Sequence, residues 1–274
     1  MSQGDPNARI LVISADLRSA LGNSMPGNPT REDIVAVSLF RDAASAAVVG
    51  GCCAVEKDEY YDVGSSRREC RPCYEIVTGA SRIVDGTDHL VDYFETNVGD
   101  ICLHLDKQLP DHIGKSEPDF VAHLLERGRA MLRQNGQDMM PQSIRDMDVL
   151  CHTGGPRVLK EVASSLGLSR QNMYSSWEVM NNNGNLSGAS NLCVLNHHNE
   201  LRNKINCNVA SGWAVGLSMG PGLCLEGVLL RDLRVTPNYT MSSEISTGIY
   251  RGSESTFDLK HVSLDTRKVV HIGR

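Results

Sequence analysis

Three groupings in this 274-residue chain bring together side chains able to do chemistry. The first is a dithiol, Cys70-Arg-Pro-Cys73, which could hold a metal or shuttle a disulfide. A zinc site needs four ligands, and no second CxxC or HxxxH follows at zinc-finger spacing. A redox CxxC belongs at a strand-to-helix junction, whereas this one follows the polar run Gly64-Ser-Ser-Arg-Arg-Glu69. These residues read as loop cysteines, and no metal is expected. The second grouping, Gly216-Leu-Ser-Met-Gly220, has the GxSxG spacing of a nucleophile elbow. An elbow requires a strand turning sharply into a helix. Pro221-Gly222 and a further apolar run follow instead, so a glycine-rich hairpin is expected.

The third grouping is His152 in Cys151-His-Thr-Gly-Gly-Pro156 together with Asn185 in Asn181-Asn-Asn-Gly-Asn-Leu-Ser187. Gly154 and Gly155 remove side chains beside the histidine, so a ligand or another backbone can come close. Taken singly, His152 reads as a strand-end histidine and Asn185 as a helix N-cap.

The elements that must position them alternate between strand and helix, which argues for α/β layers. Arg9–Ala15 is a continuous apolar run fit for burial on both faces. Asp33–Phe40 is ambiguous between helix and strand, and Ala43–Gly50 reads as a small-residue strand. Glu75–Thr78 and Ser81–Val84 read as two short strands, after a charged loop over 56–75. Apolar spacing predicts a helix over Asp119–Asn135, stopped at Gly136. Asp148–Cys151 is a short strand, and Pro156 opens a helix with Val158, Leu159, Val162, Ala163 and Leu166 on one stripe. Another helix is expected over 186–202. Strands are expected at Trp213–Ser218 and Leu223–Leu230, with a weak strand at Lys268–Ile272.

Composition narrows the function. The chain is 41% hydrophobic, enough for a core, with a net charge of −6 and no Lys/Arg run longer than two. Nucleic acid is therefore not an expected partner. The longest nearly apolar stretch, Ala43–Val55, is about 13 residues, too short to span a bilayer. The first residues have neither a basic region nor an apolar core, so no secretory signal is read and a cytoplasmic location is expected. Nine cysteines, an odd number, then read as free thiols.

Four motifs in order give a resemblance. Cys151-His-Thr-Gly-Gly-Pro156, Gly184-Asn-Leu-Ser187, Gly220-Pro-Gly222 followed by Glu226–Arg231, and Leu39-Phe-Arg-Asp-Ala-Ala-Ser-Ala-Ala-Val-Val-Gly50 resemble the C-terminal half of a type III polyketide synthase. This is the chalcone synthase-like branch of the thiolase superfamily. Val98–Leu105 is similar to a segment lining that family's acyl cavity. The resemblance covers roughly Arg9 to Leu233. It implies a thiolase-like layered α/β fold comprising the C-terminal half and the end of the N-terminal half. Residues 1–55 would be the remnant of the first half, 56–235 the second half, and 236–274 an extension.

It also implies roles. His152 and Asn185 would be the catalytic donors that hydrogen-bond a thioester carbonyl. Phe40, Cys102, Gly154, Gly155, Ser187, Gly220, Pro221 and Gly222 would shape the substrate pocket. Acyl-CoA and malonyl-CoA would be substrates, with no further cofactor, and the family's homodimer or association with a full-length synthase would be the assembly. Arg41, Ala43 and Cys102 depart from the family's usual glycines and phenylalanine. The family's nucleophilic cysteine lies upstream of the strand that Arg9–Ser14 resembles, so the thiolate is expected from outside these residues. Three readings follow: an acyltransferase for decarboxylative condensation that needs the missing half, a non-condensing accessory or docking protein of a polyketide pathway, and an inactive remnant.

Overall fold

Alternation along the strands builds two cores from one sheet. In β6 (Asp148–Cys151), Val149 and Cys151 face one apolar cluster while Leu150 faces the other. The neighbouring β7 (Trp213–Gly220) repeats this, with Val215 and Leu217 on the first side and Ala214 on the second. A strand buried on both faces has to be continuously apolar, and these are.

The computed structural model describes residues 8–19, 29, 31–51, 73–95, 101–136, 140–204, 211–234 and 268–271. Its main sheet has seven strands in the order β1-β2-β9-β3-β8-β7-β6. The remaining members are β1 (Arg9–Asp16), β2 (Ala43–Gly51), β3 (Tyr74–Ile83), β8 (Cys224–Asp232) and β9 (Lys268–His271). Among the described strands only β6 and β7 pair in parallel. A separate hairpin joins β4 (Val91–Glu95) to β5 (Ile101–Leu105). The helices are α1 (Arg31–Leu39), α2 (Leu109–Gln134), α3 (Pro156–Leu166), α4 (Tyr174–Asn183) and α5 (Ser190–Lys204). Helices α2 and α3 cover one face through Ile113, Phe120, Leu124, Leu159 and Val162. Helix α5 covers the other, packing Val194 and Leu195 toward Leu150, Ala214 and Leu230. The result is a mixed sheet between helical layers. No described helix is long and apolar enough to cross a membrane.

Several expectations change. The helix expected from Asp119 begins at Leu109, with Pro110 in its first turn and Pro118 inside it. Pro118 removes one internal hydrogen bond, but the buried stripe Ile113–Glu117–Phe120–Val121–Leu124 runs straight through. The two short strands over 75–84 are one strand, β3, with a register shift between Ile76 and Thr78. Gly79 is not a break, because its open face admits the Gly227 carbonyl, to which a Cβ at 79 would lie 3.3 Å. The ambiguous segment before Phe40 is helical, as α1. The tail segment expected as a weak appended strand pairs with both β2 and β3 in the middle of the sheet.

The largest departure is β1. Its apolar run does not sink into a core: Ile10, Leu11, Val12 and Ile13 are 59%, 60%, 41% and 66% exposed. It stands at the end of the sheet order, and the helices that sandwich β6 and β7 do not reach it.

Helix α2 also buries Glu117 almost completely, with Oε2 unpartnered. Burial pushes this carboxyl up to about 8. The folded chain therefore holds a proton that the unfolded chain releases near the ordinary carboxylate range. Stability falls as pH rises from that range through about 8 and is flat above it. Glu117→Leu should abolish this slope and raise stability at alkaline pH by at most about 5 kcal/mol. Urea unfolding of both proteins between pH 5 and 9 reads it. A constant difference between them across that range would contradict the assignment.

Candidate active site

His152 follows β6 directly. Its N–H donates to the Leu217 carbonyl at 2.8 Å, extending the β6–β7 ladder by one step. The turn then folds back, with the Gly154 N–H donating to the His152 carbonyl at 2.9 Å. Pro156 opens α3 at its first position, where a missing N–H costs nothing. Asn191, in the first turn of α5, donates Nδ2 to the Leu217 carbonyl at 2.8 Å. Thr153 and Ser190 share a buried hydroxyl contact at 3.0 Å. The histidine turn is thus stitched to both the sheet and α5.

Asn185 arrives from another direction. Helix α4 stops at Gly184, whose φ is 77° and where a Cβ would stand 2.8 Å from the Leu39 carbonyl oxygen. Only glycine meets both demands. The Asn185 N–H then donates to the Leu39 carbonyl at 2.9 Å, and the Arg41 N–H donates to the Asn185 carbonyl at 2.9 Å. Phe40 and Asn185 form an isolated parallel bridge. The buried Asn185 side chain accepts the Ser187 N–H on Oδ1 at 2.8 Å and donates Nδ2 to the Gly154 carbonyl at 3.3 Å. On Gly154 itself, a Cβ would lie 3.2 Å from His152 Cδ2 and 3.5 Å from Nε2. The imidazole and the amide therefore approach the same residue, which has no side chain between them. Gly155 faces the Leu39 side chain.

A family model for the C-terminal domain of chalcone and stilbene synthases matches residues 75–234. The chain belongs to the chalcone and stilbene synthase family. It is 28% identical over 235 residues to type III polyketide synthase A of Arabidopsis thaliana, covering 85% of this chain and 53% of that protein. It is 27% identical over 233 residues to probable polyketide synthase 1 of Dictyostelium discoideum, covering 85% of this chain and 6% of that protein. Among solved structures it resembles the C-terminal type III polyketide synthase domain of Steely1, a type I/III hybrid from Dictyostelium. The TM-score is 0.67 at 27% identity, covering 84% of this chain and 55% of that one. A brown-algal synthase from Ectocarpus siliculosus shares the fold, with a TM-score of 0.65 at 24% identity over 84% of this chain and 54% of that one. The chain spans about half the length of the Arabidopsis relative.

The expected pocket residues fall into two groups. His152, Gly154, Gly155, Asn185, Ser187 and Phe40 sit on the contacts just described. The turn Gly220-Pro221-Gly222 packs instead on the hairpin side, where Thr87 Oγ1 donates to the Gly222 carbonyl at 3.2 Å. Cys102 lies on β5 opposite Phe94, and its side chain is outside the described residues. Helix α1, which leads into Phe40, packs against β5. Arg41 is exposed, and its guanidinium donates to the Phe40 carbonyl at 2.8 Å and the Val37 carbonyl at 3.3 Å. It caps the end of α1. Of the CxxC pair Cys73 is described, and Cys70, Cys52 and Cys53 lie outside the described residues. Among the described residues no cluster of His, Cys, Asp and Glu could hold a metal.

Two residues near the site carry no sequence signal. Asp16 ends β1 and Arg18 follows it, and Arg18 Nη2 donates to Ser187 Oγ. Its guanidinium lies 5.3 Å from the centre of the Phe40 ring. Asp16 Oδ2 accepts the Gly188 N–H at 3.2 Å.

The electrostatics separate His152 from its neighbour. Burial pushes the His152 imidazole down to about 4, so it is neutral at physiological pH and offers one ring N–H. Burial pushes the Cys151 thiol far up, helped by nearby Glu117, so Cys151 is an un-ionised core group. Burial raises the Cys193 and Cys224 thiols as well. A titration of the His152 ring by proton–carbon NMR should show a midpoint near 4. A midpoint at or above its ordinary value would mean that an anion, not burial, governs it.

Proposed function

We propose that this domain is the oxyanion-stabilising part of a type III polyketide synthase-like acyltransferase acting on CoA thioesters. His152 and Asn185 would each donate one hydrogen bond to the thioester carbonyl of malonyl-CoA. As the bond between the carboxylate and the α-carbon breaks, CO2 leaves and the electron pair moves onto that carbonyl as an enolate. Two neutral donors fixed before the charge develops stabilise it without reorganising, each lowering the barrier by roughly 3 kcal/mol. What supports this reading most is the single residue, Gly154, that the Asn185 amide holds and the His152 ring flanks. No metal or prosthetic group enters this chemistry.

Condensation needs a second thioester held on a thiolate, which the enolate carbon attacks with loss of that thiol. The buried, un-ionised Cys151 is unsuited to this, despite adjoining His152. We assign the thiolate to the half of the fold that lies upstream in the family, whether carried on the same polypeptide or supplied by a full-length synthase. The exposed apolar β1, at the end of the sheet, supports association over a free-standing domain.

Purified chain incubated with labelled malonyl-CoA should release CO2 slowly and make no polyketide from added acyl-CoA. His152→Ala or Asn185→Ala should each cut CO2 release by about a hundredfold. Equal release from all three proteins would overturn the donor assignment and favour a docking role or an inactive remnant. Intact mass showing an acylated cysteine in the chain alone would overturn the assignment of the thiolate to that upstream half.

A further inference from the structure

We propose that Asp16 and Arg18, at the end of β1, form a positioning device that fixes which way the Asn185 amide faces, acting through Ser187. The proposal rests on the reading of Asn185 as a hydrogen-bond donor to substrate.

The amide's orientation follows from its two partners. The Ser187 N–H can only donate, so the atom facing it is Oδ1. The Gly154 carbonyl can only accept, so the atom facing it is Nδ2. A flipped amide would break both contacts and turn an oxygen, instead of N–H, toward the substrate carbonyl. The same group would then repel the charge it should stabilise. The donor role therefore depends on where the Ser187 N–H points.

That N–H is held in an unfavourable conformation. Ser187 has φ 51°, in the left-handed region that side chains disfavour. Such conformations persist only where the surroundings over-determine them. Here β1 supplies the restraint on two successive residues. Arg18 donates to Ser187 Oγ, and Asp16 accepts the Gly188 N–H at 3.2 Å. Arg18 is itself fixed by Asp16, with Nε to Oδ1 at 3.0 Å, and by the Phe40 ring beneath it. Gly188 lies so close to β1 that a Cβ there would stand 3.1 Å from Ser14 Oγ. Release of the restraint lets Ser187 return to negative φ. The peptide carrying its N–H then swings, and Asn185 loses the shorter of the two contacts that tell its oxygen from its nitrogen, keeping only the 3.3 Å bond to the Gly154 carbonyl.

The test uses a property of glycine. Glycine adopts φ near 51° without strain, so Ser187→Gly should make the restraint unnecessary. In the full chain, hydrogen exchange of the residue-187 backbone N–H reads the contact to Asn185 directly, with no dependence on catalysis. Arg18→Met keeps an apolar stem over Phe40 and should speed that exchange about tenfold or more. Arg18→Met combined with Ser187→Gly should restore it to within about threefold of the parent. In Arg18→Met, CO2 release from malonyl-CoA should fall in kcat while KM stays nearly constant.

Unchanged exchange in Arg18→Met would overturn the proposal. So would a double variant as fast as the single one, since a merely structural arginine is not rescued by removing the hydroxyl it holds. Exchange that responds as expected while CO2 release does not would uphold the positioning device and overturn the donor role of Asn185.

Discussion

Two backbone hydrogen bonds hold the candidate site together: the Asn185 N–H to the Leu39 carbonyl, and the Arg41 N–H to the Asn185 carbonyl. They join a segment outside the matched synthase domain to a loop inside it. Everything else at the site depends on this bridge. It sets Phe40 beside Asn185, requires glycine at 184, and brings Leu39 against Gly155. The Asn185 side chain then reaches Gly154, and Gly154 reaches the His152 ring. A single bridge of two bonds would be marginal in water. It persists here because α4, α5 and the sheet already hold Asn185 and its neighbours Leu186 and Ala189 in a core.

Enclosure that makes the site rigid also sets its chemistry. His152 is kept neutral, because desolvation of its half-buried ring penalises the imidazolium. A neutral donor suits a carbonyl that gains negative charge only as reaction proceeds. It binds the uncharged ground state weakly and the enolate strongly. An anionic thiolate placed beside the ring by a partner would reverse this balance and favour the imidazolium.

Much of this was legible in the sequence, and the reasons differ by region. The α3 stripe, Pro156 and the closing Gly167 follow local rules that the structure keeps, with Gly167 at φ 63°. His152 and Asn185 were visible because four motifs occur in order, not because either residue is distinctive. Helix α2 was half hidden, since Pro118 and the buried Glu117 interrupt an apolar stripe that packing continues. Strand β1 was misread in burial because an apolar run shows that a strand can be buried, not that an element packs on it, and among the described residues its apolar side chains stay exposed. Asp16 and Arg18 were invisible, as their meaning lies in contacts to residues about 170 positions away, which no local pattern encodes.

The measurement that tests the central claim most directly is a crystal structure of the chain with a non-hydrolysable malonyl-thioester analogue. The account predicts one carbonyl oxygen about 3 Å from both an imidazole nitrogen of His152 and Nδ2 of Asn185. An analogue bound away from Gly154, or one that contacts only one of the two donors, would contradict it.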